Sequence, residues 1–200
     1  MLSLHYAPHT ISVAVAIVLE EIGADYLAVP VNFAAAEQTM PAYRGINPKG
    51  RVPALETAQG VLTETGAILE YIAPHMVPRD PFAAAQMRAL MYYLASTMHV
   101  NHADKLRGAR WADEESSFAD MARKVPQTMA ASCDYLEALL PRLPFWGDTD
   151  MVLSDPYLYV VLSWLPGDGV DVSRYPQVQA FQHKMNARPS VQRIYDKGML

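Results

Sequence analysis

Apolar and polar residues alternate at the start of the chain. Leu2, Leu4 and Tyr6 are interleaved with Ser3 and His5, the period of a half-buried strand. Pro8 to Thr10 break it. Residues 11–22 are then dense in apolar side chains, which predicts a helix laid on a sheet and stopped by Gly23 at its C-terminus. Residues 26–31 read as a second strand. A helix between two strands makes a right-handed crossover with parallel pairing the expected geometry. Residues 37–43 predict a short, weak helix. Two apolar runs, 52–56 and 61–63, flank Ala58-Gln59-Gly60 as in a hairpin, and a helix over 65–72 follows. The order βαβαββα describes a small α/β layer domain with a mixed sheet.

Pro74, Pro78 and Pro81 then interrupt the chain and favour an extended connection. Beyond Phe82 the period changes. Met87, Leu90, Met91, Leu94 and Met98 recur at three- and four-residue spacing, which is helical. Further helices are expected over 117–139, 155–164, 178–187 and 191–197. The chain therefore divides into an α/β domain over 1–78 and an all-α domain over 84–200.

Composition narrows the partners. With 51% hydrophobic and 18% charged residues, 200 residues can build a packed core. A formal charge of -5 without clustered Lys and Arg argues against nucleic acid and anionic membrane as partners. The longest apolar run, 13–19, is too short to span a bilayer, and no basic leader segment opens the chain, so a cytoplasmic location is the expectation. The single cysteine, Cys133, allows no intramolecular disulfide and no C-x-x-C pair. Its spacing with Met129, Leu136 and Leu140 places it in a core. No metal-ligand spacing such as H-E-x-x-H occurs, and no metal is expected.

Two stretches carry chemistry: Asn47-Pro48-Lys49-Gly50-Arg51-Val52-Pro53-Ala54-Leu55 and Thr63-Glu64-Thr65-Gly66-Ala67-Ile68. A proline opening a strand cannot donate to the ladder, and a cis Val52–Pro53 bond would turn the Val52 N–H and C=O outward, where an extended peptide could pair with them. Glu64 and Thr65 precede a helix whose first amides and dipole favour an anionic group. Glu64 could hold an ammonium, so the pair suits an amino acid carrying both charges on one carbon. Taken alone, the same residues also fit an ordinary capped helix after an ordinary hairpin.

Together, N-P-K-G-R-V-P-A-L and T-E-T-G-A-I-L-E-Y-I resemble the N-terminal domain of the glutathione transferases, bacterial beta-class members above all. The resemblance extends to Gly169-Val170-Asp171-Val172-Ser173-Arg174-Tyr175-Pro176 near the C-terminus. It implies a thioredoxin-like domain joined to an all-helical one, with glutathione as co-substrate. Val52 and Pro53 would serve the cysteinyl part, and Glu64 and Thr65 the γ-glutamyl end. Thr65 replaces the usual Ser and keeps its hydroxyl. The beta-class cysteine after the first strand is missing; Ile11 occupies that place, which argues against mixed-disulfide chemistry. Tyr6, Thr10 and Ser12 are the hydroxyls left to stabilise a thiolate, although Thr10 and Ser12 could equally be N-caps. Ionising the thiol at neutral pH requires its pKa to fall by about 2 from about 8.5, about 2.7 kcal/mol. One hydrogen bond to the charged sulfur gives about 1.5–3 kcal/mol, and a helix N-terminus about 0.3–1 more.

His99 resembles the beta-class histidine facing the thiol, and His102 lies one turn further on. The family's capping box departs here, with Val152 ahead of Asp155 and Pro156. The resemblance implies conjugation of glutathione to small apolar electrophiles held by Met, Tyr and Trp side chains. A non-catalytic glutathione-binding module, or a glutathione-dependent isomerase or dehalogenase, are the alternatives, although the S-S-C motif of maleylacetoacetate isomerases is absent. A homodimer is expected, with the Met- and Tyr-rich segment 82–106 contributing to its interface.

Overall fold

The computed structural model describes residues 1–148 and 150–200. Strands β1 (Leu2–Tyr6), β2 (Tyr26–Pro30), β3 (Ala54–Thr57) and β4 (Gly60–Thr63) form one sheet in the order β2-β1-β3-β4. β1 pairs parallel with β2 and antiparallel with β3, and β3 pairs antiparallel with β4. Helix α1 (Ser12–Glu21) makes the crossover, and α2 (Pro41–Ile46) and α3 (Thr65–Ile72) complete the layer. The element order is that of a thioredoxin-like domain.

Two boundaries move for reasons of proline chemistry. The helix expected over 37–43 is split into a 3-10 turn, Glu37–Thr39, and α2, because Pro41 lacks an N–H and starts a helix at its first position. β3 begins at Ala54 rather than Val52, which leaves Val52 and Pro53 buried but outside the ladder.

The remainder is helical: α4 (Pro81–Tyr93), α5 (His99–Ala103), α6 (Glu115–Leu139), α7 (Ser154–Ser163), α8 (Pro176–Asn186) and α9 (Pro189–Asp196). Asp80 caps α4 by accepting from the Ala83 N–H at 2.8 Å. The single helix expected over 82–106 is two helices fused through a π-helical turn, Leu94–Met98. Such a wide turn retards the rotation of everything after it, so α5 presents a different face from the one extrapolated along α4. Met87, Met91, Leu94 and Met98 are accordingly buried in the core.

Asp155 was expected to open α7 as its cap. It is instead the second residue of the helix, and its carboxylate reaches back to the Val152 N–H at 3.1 Å. This is one half of a capping box, preserved although Val152 has no side-chain oxygen to supply the other half. Cys133 is fully buried beside Met129, Leu136 and Leu140, and burial raises its thiol pKa to about 12.

α1 explains how the two parts join. Residues Ser12 to Leu19 are all buried, which requires cover on every side. β1 and α3 supply part of it, and α7 and α9 of the helical part supply much of the rest, so one hydrophobic core runs through both. The end of α1 is tied to the C-terminal helix by charge: Arg193 Nε donates to Glu20 at 2.8 Å, and Arg188 pairs with Glu21. No helix among the described residues is long and apolar enough to cross a membrane.

Candidate functional site

The register fixes which loops meet. His5 and Thr63 both pair with Ala54, so the end of β1, the start of β3 and the end of β4 lie at one edge of the sheet. The turn over residues 7–11, Val52, and the start of α3 therefore converge there.

Val52 is presented by a rigid turn. The buried Asn47 accepts from the Lys49 N–H at 3.2 Å and donates from Nδ2 to the Arg51 carbonyl at 2.6 Å, which also accepts from the Tyr43 hydroxyl at 2.8 Å. Gly50 is required here. Its φ is +61°, and a Cβ would stand 2.8 Å from the Gln38 carbonyl oxygen. The Val52–Pro53 peptide is cis. Among the described residues nothing bonds to the Val52 N–H or C=O.

At the adjacent loop Glu64 has φ +72° and ψ 117°, a conformation that costs a non-glycine residue about 1–3 kcal/mol. It precedes the buried Thr65 at the head of α3. The first intrahelical bond runs from the Ile68 N–H to the Glu64 carbonyl at 3.0 Å, so the amides of Thr65, Gly66 and Ala67 are unpaired among the described residues. They border a depression of about 440 Å³ also lined by Tyr92 and Tyr157. Lys49 links the two motifs, donating to Thr63 Oγ1 at 2.7 Å and to the exposed Glu64 carboxylate.

The three candidate hydroxyls part company in the structure. Thr10 lines a cleft of about 260 Å³. Ser12 is wholly buried, accepts from the Ala7 N–H at 3.1 Å and lies 2.7 Å from Thr10 Oγ1, which itself donates to the Ala7 carbonyl at 2.8 Å. Tyr6 packs, partly buried, against the core and does not border this cleft. The turn is held from the helical side: His9, at φ +58°, donates its N–H to the Met199 carbonyl at 2.9 Å, and its carbonyl accepts from Trp164 Nε1 at 2.9 Å.

The opposite wall is built from helical residues. His102 stacks on Trp164 with ring centroids 4.2 Å apart, and His99 tilts against the same ring at 5.0 Å. His102 Nδ1 lies 2.7 Å from the carboxylate of buried Asp168, and Lys105 Nζ stands 3.6 Å from the other oxygen. His99 is neutral at pH 7. Burial, then electrostatic coupling to the His102 ring and to Arg110, Arg51 and Arg107, holds its pKa down at about 4.

Those arginines were not singled out by the sequence reading. Arg51, Arg107 and Arg110 all line the cleft, and none forms an ion pair among the described residues. The Arg107 guanidinium lies 5.6 Å from the Phe33 ring centroid. Of the Met, Tyr and Trp side chains expected to shape this wall, Trp164 alone borders it among the described residues. The methionines follow the core-facing period of α4 instead. The signal that could have found the basic residues is the sequence His99-x-x-His102 followed by Arg107-x-x-Arg110, a repeated three-residue spacing leading out of a helix. No cluster of three or more potential metal ligands occurs among the described residues.

A sheet of this order, a free main-chain edge beside a proline and an open helix N-terminus, joined to a helical bundle, define a thioredoxin-like architecture with a helical second part. Comparison with known proteins specifies it. The family model described as Glutathione S-transferase, N-terminal domain, matches residues 3–74. A maleylacetoacetate isomerase of Pseudomonas aeruginosa is 30% identical over 95% of this chain and 93% of its own. A crystal structure of a glutathione transferase homologue from Sulfitobacter with bound glutathione superposes with a TM-score of 0.96 at 56% identity, covering 100% of this chain and 99% of that one. A beta-class glutathione S-transferase of Sphingomonas chungbukensis gives a TM-score of 0.81 at 27% identity, over 99% and 100% of the two chains. The chain belongs to the glutathione transferase family.

Proposed function

We propose that the protein ionises the thiol of glutathione in this cleft and directs the thiolate at an electrophilic carbon of a second substrate. One observation carries the reading. The unpaired main chain of Val52 and the unpaired amides of Thr65, Gly66 and Ala67 stand at one edge of the sheet, as an extended peptide with a charged end requires. The cysteinyl backbone pairs with Val52 next to Pro53, the γ-glutamyl carboxylate takes the α3 amides, and its ammonium meets Glu64. The thiol then faces the turn over 7–11.

Thr10 is the hydroxyl that meets the sulfur. Its proton is engaged by the Ala7 carbonyl, but Ser12 Oγ lies 3.3 Å from that same carbonyl and can take over as its donor. Ser12 is thus a positioning residue, and Tyr6 a packing one. The thiol proton passes to His102, whose Nδ1 is held by Asp168 so that Nε2 is the free ring nitrogen. Neutral His99 adds a hydrogen-bonding ring without a charge. Arg51, Arg107 and Arg110 supply the field. At an effective dielectric constant of about 20 and a separation of about 8 Å, one guanidinium stabilises a thiolate by about 2 kcal/mol, and by about half that or less where solvent screens it. With the Thr10 hydrogen bond, this reaches the 2.7 kcal/mol or so that ionisation needs.

In conjugation the sulfur lone pair forms the C–S bond while the leaving group departs with its electrons. A second reading, isomerisation, is supported by the likeness to a maleylacetoacetate isomerase: the thiolate adds to carbon and is later expelled, so glutathione is not consumed. Thiol titration before and after turnover separates the two. A non-catalytic module of the same fold would bind glutathione without lowering its thiol pKa. The protein is further proposed to work as a cytoplasmic homodimer of two-domain subunits (1–78 and 84–200). The exposed Phe82 and Tyr92 on α4 support a partner surface there, and light scattering at micromolar concentration tests it: a dimer's mass is expected, and a monomer's would refute the assembly.

A further inference from the structure

The cleft is charged against the grain of the molecule. The chain carries a net charge of -5, yet three arginines and three histidines border this cleft, and none of its lining residues is an Asp or Glu. The arginines have no carboxylate partner among the described residues, and Arg110 is destabilised as a cation by burial and by Arg51 and Arg107. Like charges held together without a counter-ion are unfavourable unless an anion enters between them.

Glutathione does not use all of that charge. Its glutamyl carboxylate and ammonium belong at the far end, on the α3 amides and Glu64. Its glycyl carboxylate follows the cysteinyl unit that pairs with Val52, and so lies beside Arg51, the preceding residue. The thiolate leans on the shared field. Arg107 and Arg110 stand on the opposite, helical wall, where the second substrate must lie. Their placement is also built rather than incidental. The turn between them, Gly108–Arg110, is seated against the start of α6 so closely that a Cβ on Gly108 would stand 2.8 Å from the Phe118 ring. Arg107 is further positioned over Phe33.

We propose that the second substrate carries a carboxylate, or a group of like charge and shape, bound by Arg107 and Arg110, with its apolar body against Phe33, Leu106 and Trp164. This deepens the glutathione reading above and rests on it for the identity of the first substrate. It replaces the expectation of a purely apolar electrophile.

An unreactive matched pair tests it: 3-nitrobenzoate and its methyl ester, titrated calorimetrically into the protein with and without saturating glutathione. The acid is expected to bind the glutathione complex about tenfold or more tighter than the ester. Arg107→Gln and Arg110→Gln are each expected to weaken the acid about fivefold or more while leaving the affinity for the uncharged ester within about twofold. Equal binding of acid and ester, or no binding of the acid, would overturn the proposal, as would competitive displacement of the acid by glutathione, since the arginines would then serve the glycyl carboxylate. The wild-type comparison needs no variant to fold. Absence of glutathione binding in the control titration would instead remove the function proposed above, and the acid–ester contrast in the glutathione-free protein would still decide whether an anion site exists.

Discussion

The two walls of the cleft are made of different material. For a peptide the sheet side offers main chain: the N–H and C=O of Val52 at the cleft and, in the neighbouring depression, three amides at the head of α3. The helical wall offers side chains: His99, His102, Arg107, Arg110 and Trp164. A main-chain surface depends on backbone geometry and is indifferent to the side chains it carries, provided the turns that shape it hold. A side-chain surface is the reverse; it keeps its shape under substitution and changes its chemistry. In the function proposed above, the first wall serves what is constant in the reaction, glutathione, and the second can be altered to suit the partner.

The contrast makes the largest effect fall on a residue with no side chain to offer a ligand. Gly50→Ala forces a Cβ into the Gln38 carbonyl at a positive φ, and should destabilise the protein by about 3 kcal/mol and weaken glutathione, measured by denaturant titration and calorimetry. An unchanged stability would show that the turn is pliable.

On the other wall, Asp168→Asn removes the carboxylate that holds His102 and should lower kcat about 30-fold or more, with a displaced pH profile and glutathione affinity intact. A loss confined to KM would contradict a role in proton transfer.

His99 links the wall to stability. Its folded pKa of about 4 lies below its ordinary 6.5, so the unfolded chain binds a proton that the folded protein refuses. The contribution is fully present above about pH 6.5 and is lost as pH falls toward 4. His99→Gln should therefore flatten the decline in thermal stability over that window, by about 2 kcal/mol. An unaltered slope would mean that the ring is protonated in the fold.

The smallest effect belongs to Val52→Ala. It should cost about 1–2 kcal/mol of stability through lost packing with Tyr43 and Val31, yet move the glutathione dissociation constant by no more than about twofold. A tenfold loss would show that the side chain, not the backbone, makes the contact.

Much of the main-chain wall is legible in the sequence, for a physical reason. Backbone presented at a turn needs particular residues: Asn47 and Gly50 for the turn, Pro53 to leave the ladder, Gly66 near a helix head. Those types at that spacing have few other uses. The strand order follows from the crossover rule and the hairpin in the same way. The helical wall is far less legible, because an Arg or His on a helix is consistent with any solvated face. Its orientation depends on the π-helical turn at Leu94–Met98, which no local propensity marks. The pairing of His102 with Asp168 and the seat of Gly108 on Phe118 join residues far apart in sequence or outside any motif. The hydroxyls near the start of α1 show the same limit. Tyr6, Thr10 and Ser12 are alike in sequence, and only burial and hydrogen bonding separate the one on the cleft from the two that are not.

The central claim is that this cleft holds glutathione as a thiolate, and the most direct measurement is the ultraviolet thiolate absorbance of the bound complex as a function of pH. The account predicts a midpoint about 2 units below the free thiol's value of about 8.5, rising by about 1 unit in Thr10→Val and unchanged in Tyr6→Phe. A bound thiol that titrates like free glutathione would contradict it, and would leave a module that binds glutathione without activating it.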